Sequence, residues 1–173
     1  MIKDYYIKKI IQKNLQTLKK SSANQMFDKI SKVGCIIDMD TIKDVQPLLQ
    51  LVNSFNLRPE NYIFLGYQKK SEETHIGGIP FLTDREINWQ GKIRNYHADR
   101  LAEQEYDILI NYFDQPKLPL LLLSSTIQAK LRIGVQGITP DFNDIIVQCP
   151  LKEEALFAQE VKKILKTLNK TNL

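Results

Sequence analysis

Val33-Gly34-Cys35-Ile36-Ile37-Asp38 is a short run, apolar until its last position and rich in β-branched side chains. A strand with one wet face alternates polar and apolar residues. This run does not, so it reads as a strand covered on both faces, the condition met inside a parallel sheet. Tyr106-Asp107-Ile108-Leu109-Ile110-Asn111 is a second run of the same kind. Tyr62–Tyr67, Leu131–Val135 and Asp144–Cys149 supply further strands, and Ile79–Leu82 a short extra one that Pro80 confines to an edge.

Helical spacing fills the intervals. Ile7, Ile11, Leu15 and Leu18 repeat along residues 3–20, with Lys9, Lys13 and Lys20 on the opposite side. Gln25 to Ile30 add a turn or two. Ile42, Val45, Leu48, Leu49, Val52 and Phe55 mark a second helix, which Pro47 makes regular only from about Asp44. His97–Glu105 reads as a short helix, and Leu118–Gln128, nearly all apolar with Pro119 at its start, as one lying flat on the sheet. The last spans about 152–169, burying Phe157, Val161, Ile164, Leu165 and Leu168, with Lys162, Lys163, Lys166 and Lys170 opposite. Strands alternating with helices predict a three-layer α/β sandwich, with a mostly parallel sheet of about five to six strands and helices on both faces. The division expected is a basic amphipathic helix over 1–32 and a single α/β domain over 33–173.

Composition sets the class. The chain has 173 residues, 43% hydrophobic and 25% charged, an ordinary globular balance for one domain. No apolar run approaches the roughly 20 residues that cross a bilayer. The lysines of the first 20 residues interrupt any signal-peptide core, so a cytoplasmic location is expected. Cys35 and Cys149 read as buried free thiols. Charge is unevenly placed: residues 1–32 carry eight lysines against Asp4 and Asp28, residues 33–160 carry 12 basic and 18 acidic side chains, and residues 161–173 add four lysines. An acidic body with two basic ends follows.

Ile87-Asn88-Trp89-Gln90-Gly91-Lys92, the strand at 106–111, and Ala129-Lys130-Leu131-Arg132-Ile133-Gly134 together resemble a family of small bacterial proteins of unknown function. The likeness covers nearly the whole chain, and its most specific pieces are the Asn-Trp-x-Gly-Lys loop and the Asp-x-Leu-Ile-Asn strand. It implies a Rossmann-like α/β fold and carries over no activity or catalytic residue.

Chemistry is sparse. Asp38-Met39-Asp40-Thr41 resembles the paired aspartates of haloacid-dehalogenase-like phosphatases, with Ser124 and Lys130 cast in the next two roles and Asp141 and Asp144 as metal ligands. Thr41 comes one position too early for that family. The alternative is that Asp38 and Asp40 cap local backbone amides. No G-x-G-x-x-G, G-x-x-x-x-G-K-[ST] or G-x-S-x-G occurs, and His75 and His97 stand alone, so neither a cofactor nor a metal is expected. Asn88, Trp89, Gly91 and Lys92 form a loop suited to contact: donors, a flat apolar face, and a glycine that admits close approach. A tryptophan plugging the sheet edge is the other reading of it. Ligands of open α/β sheets sit beyond the strand carboxyl ends, so a pocket would include Asp38, Asp40 and Asn111, with Asn88, Trp89 and Lys92 as further candidates.

Two functions survive. One is a non-enzymatic interaction protein whose Lys9, Lys13 and Lys20 dock on an acidic partner, protein or RNA. The other is a small enzyme acting on a phosphorylated or nucleotide substrate at the strand ends.

Overall fold

A computed structural model describes residues 1–21, 29–42, 44–70 and 77–169, the side chains of 19–21 and 169 apart. The expected turn at Gln25–Asp28, the centre of the loop after Lys69, and the side chains of Lys20, His75 and Lys170 lie outside the described residues.

Strand β1 (Val33–Asp38) is buried at all six positions, as its unbroken apolarity requires. It pairs in parallel with β2 (Tyr62–Tyr67) on one side and with β4 (Glu105–Tyr112) on the other. In register, Val33 lies against Tyr62 and Ile108, and Ile36 against Leu65 and Asn111. Strands β3 (Phe81–Leu82), β5 (Gln128–Val135) and β6 (Ile145–Val147) complete a six-stranded sheet in the order β3-β2-β1-β4-β5-β6. Every pairing is parallel. The strand order reverses between β1 and β4.

Among the described residues, five α-helices cover the two faces. Helices α2 (Gln46–Asn53) and α5 (Glu154–Asn169) pack over Cys35, Ile37, Ile108, Ile110 and Ile133. Helices α1 (Ile2–Ser21), α3 (Tyr96–Ala102) and α4 (Leu118–Thr126) share the other core with Ile36, Leu65 and Leu109. The three-layer α/β architecture expected from the sequence is the one found.

Several boundaries move for identifiable reasons. Helix α2 starts at Gln46 rather than Asp44, because Pro47 suits a first turn; Ile42 and Val45 are still buried, from the segment leading into it. Strand β6 has three residues instead of six, since it pairs with only the last three of β5. Leu168, expected in the core, is 44% exposed at the end of α5.

Helix α4 is apolar around its whole circumference and is correspondingly deep, with Leu120, Leu122, Leu123, Ser124 and Ser125 all buried. Its last turn is closed by a side chain from β5. Arg132 donates from Nη1 to the Ile127 carbonyl and from Nη2 to the carbonyl and hydroxyl oxygens of Ser124, at 2.6 to 2.9 Å. Its Nε bonds the Phe142 carbonyl at 2.7 Å. Burial pushes the guanidinium down to about 10, so it stays charged at neutral pH, facing the negative end of the helix dipole.

Candidate functional site

The carboxyl end of β1 delivers Asp38, fully buried, and two residues later Asp40, exposed. Between them stands Lys117, the residue just before α4. Its Nζ lies 2.7 Å from Oδ2 and 2.8 Å from Oδ1 of Asp38, and 2.9 Å from Oδ2 of Asp40. Asp38 also accepts from the Asp40 amide and the Thr41 hydroxyl, while Asp40 accepts from the Lys69 amide. Burial alone would lower Lys117; hydrogen bonds and attraction from both carboxylates outweigh it and hold the ammonium above its ordinary range.

Beside this cluster, the last residue of β2 supplies Tyr67, whose hydroxyl donates to Asp84 at 2.7 Å. Burial, then Asp84, raises its phenol well above the ordinary value. A cleft of about 470 Å³ opens here, bordered by Lys3, Asp4, Asp40, Tyr67, Asp84 and Lys117. It lies beyond the carboxyl ends of β1 and β2, next to the point where strand order reverses. Asp38, Asp40 and Lys117 satisfy one another's charge. Asp38 could act as a nucleophile, or Asp40 as a base, only after displacing Lys117. Among the described residues, no three His, Cys, Asp or Glu are grouped to hold a metal.

The phosphatase-like assignment of the remaining residues is not what the chain builds. Lys130 pairs with Asp107 at 2.8 Å near the amino ends of β4 and β5, across the sheet from Asp38. Ser124 is buried in α4 under Arg132. Asp144 accepts the Arg132 amide ahead of β6. Lys117 is the residue sequence reasoning missed. Its one signal was position, ending the Asp114-Gln115-Pro116 link that leaves β4.

Asn111 belongs elsewhere again. It is buried against the α4 side of the sheet, donating to Asn143 Oδ1 at 2.9 Å and to the Phe142 carbonyl at 3.3 Å. Gly134, its register partner on β5, leaves the room Asn143 fills; a Cβ there would stand 2.3 Å from Asn143 Nδ2.

The other sequence candidates gather around α1. Ile7, Ile11 and Leu18 bury one stripe, and Asn14 donates to Ser125 of α4 at 3.1 Å. Lys8, Lys9 and Lys13 face outward. Asn88 organises the 88–92 loop: its Oδ1 accepts from the amides of Gln90 and Lys92 at 3.0 and 2.9 Å, an Asx turn. Gly91, at φ +78°, lies so close to α1 that a Cβ would stand 2.9 Å from Ile10 Cδ1. The loop therefore presses on α1 and carries Trp89 next to Tyr6, with ring centroids 5.9 Å apart in an edge arrangement. Trp89 does not plug the sheet edge; it is 60% exposed. Lys92 is also exposed. Asp40 and Trp89 thus mark two separate surfaces.

No helix among the described residues is long and apolar enough to cross a membrane. No curated protein matches the sequence. A family model does, over residues 3–168, which takes in the whole sheet, the β1 cleft and the Asn88 loop. The chain belongs to that family, DUF6913, a family of unknown function.

Proposed function

We propose that this protein is a non-enzymatic docking protein whose Lys-rich first helix binds an acidic macromolecule. The observation that carries the reading is the division of labour on α1. One stripe is used to anchor the helix, and Lys8, Lys9 and Lys13 are left on its solvent side, opposite an otherwise acidic body. Two free, buried cysteines suit a reducing, cytoplasmic setting for such a partner.

Retention on immobilised heparin tests the electrostatics. The wild-type chain should bind at low salt and elute as salt screens the contact, and Lys8→Glu/Lys9→Glu/Lys13→Glu should elute markedly earlier. Unchanged elution of that triple variant, with its circular dichroism intact, would overturn the reading.

A second reading, a small enzyme for a phosphorylated or nucleotide substrate, draws on the cleft beyond β1 and β2. Lys3 and Lys117 border it, and open α/β sheets bind ligands where the strand order reverses, as it does beside this cleft. Phosphate-ester turnover abolished by Asp38→Asn would favour it; turnover indifferent to that change would sink it.

A further inference from the structure

Exposed aromatic rings that adjoin one another, unlike rings scattered singly, mark an interaction surface. On this chain three of them stand together: Tyr5 is 55% exposed, Tyr6 41% and Trp89 60%. Tyr5 and Tyr6 meet edge to face with centroids 5.8 Å apart, and Tyr6 meets Trp89 in the same way at 5.9 Å. In each pair one ring's edge meets the other's face, and Lys9 stands over the Tyr5 ring, so Trp89 is the most open of the three. The row is held from below, by the Asx turn at Asn88 and the tight seat of Gly91 on Ile7 and Ile10. It is therefore a fixed platform, and it continues into charge. Lys9 sits 4.6 Å from the Tyr5 ring centroid, and Tyr5, Lys9 and Lys13 follow one another at i, i+4 and i+8 along α1. That spacing sets successive groups about 6 Å apart along the helix axis. Asp4, the nearest acid on the helix, turns to the amino terminus and borders the strand-end cleft instead.

We propose that this platform takes unpaired bases, so that the acidic partner of α1 is single-stranded RNA. The inference rests on the docking reading above and narrows it. Flat rings beside a line of ammonium groups are what a single strand requires: bases stack on the rings while lysines follow the phosphates. A duplex would offer phosphates but hide its base faces. Splayed, unstacked bases are what RNA loops offer a protein, and RNA is the single strand meant here.

Trp89 is the only tryptophan in the chain, so its fluorescence reports this surface alone. The full-length protein is titrated at low salt with a labelled ten-nucleotide oligouridine, following tryptophan emission and label anisotropy together. Matched RNA duplex and single-stranded DNA are run alongside. Single-stranded RNA should quench Trp89 as it binds; Trp89→Ala should weaken binding about tenfold, and Trp89→Phe, which keeps a ring, should restore most of it. RNA binding with Trp89 unquenched, duplex binding as tight as single strand, or tighter binding of DNA would each overturn the proposal. So would a flat anisotropy trace at low salt. The docking reading stands or falls separately, on heparin elution of the lysine variants.

Discussion

Lys117 Nζ reaches both carboxylate oxygens of Asp38, at 2.7 and 2.8 Å, and closes the carboxyl end of the central strand with an ion pair. Asp38 is fully buried, so the pair is what makes its charge tolerable there. Lys117→Met should therefore destabilise the fold by about 3 kcal/mol. Adding Asp38→Asn to it should recover most of the loss. Urea denaturation of the two single variants and the double gives the coupling directly, and independent effects would contradict the pairing.

At the opposite end of the sheet, Asp107 accepts from the Ser31 amide and hydroxyl, the Lys32 amide and Lys130. Burial would raise its carboxyl, but the bonds from Lys130, Ser31 and Lys32 outweigh that and hold it below the ordinary 3.8. A carboxyl lowered by folding adds stability that is present above the unfolded value and lost as pH falls through the folded one. Asp107→Asn should cost about 1–2 kcal/mol at pH 7 and much less near pH 2. Denaturation midpoints at the two pH values check this; an equal loss at both would refute it.

Arg132 satisfies four acceptors with one planar group. A lysine cannot reproduce that fork. Arg132→Lys should lower stability by about 2–3 kcal/mol and loosen the end of α4 first. Hydrogen exchange would show it as early loss of protection at residues 124–127. Uniform loosening of the whole sheet would argue against a capping role.

Gly91→Ala puts a methyl against Ile10 at a left-handed backbone position. It should cost about 1–2 kcal/mol. More usefully, it should shift Trp89 emission in the free protein, because the loop would lift from α1. Unchanged emission would mean that the loop holds its place without that close seat.

Legibility in the sequence followed burial. Val33–Asp38 and Tyr62–Tyr67 are strands over the very residues expected, since an unbroken apolar run bounded by polar residues has few other uses. The short edge strand at Phe81–Leu82 was signalled by Pro80. What composition could not convey was partnership. Lys117 lies 79 positions from Asp38, and no local pattern announces a pair that only the fold brings together. Asn111 failed for a related reason. Its position at a strand end suggested a lining residue, whereas its neighbour across β5 is a glycine that makes room for Asn143. Residues 88–92 were legible as a loop, but their dependence on α1 was not, because Ile10 and Gly91 are far apart in sequence.

Helix α1 is no detachable arm. Ile7 and Ile11 belong to the same core as Leu65 and Leu109, and Asn14 grips α4. Any molecule that grasps the outer side of this helix thereby grasps the sheet as well, and occupancy should raise the melting temperature of the entire chain in step with ligand concentration. Thermal shift thus offers a way to screen for the natural partner without knowing its identity in advance.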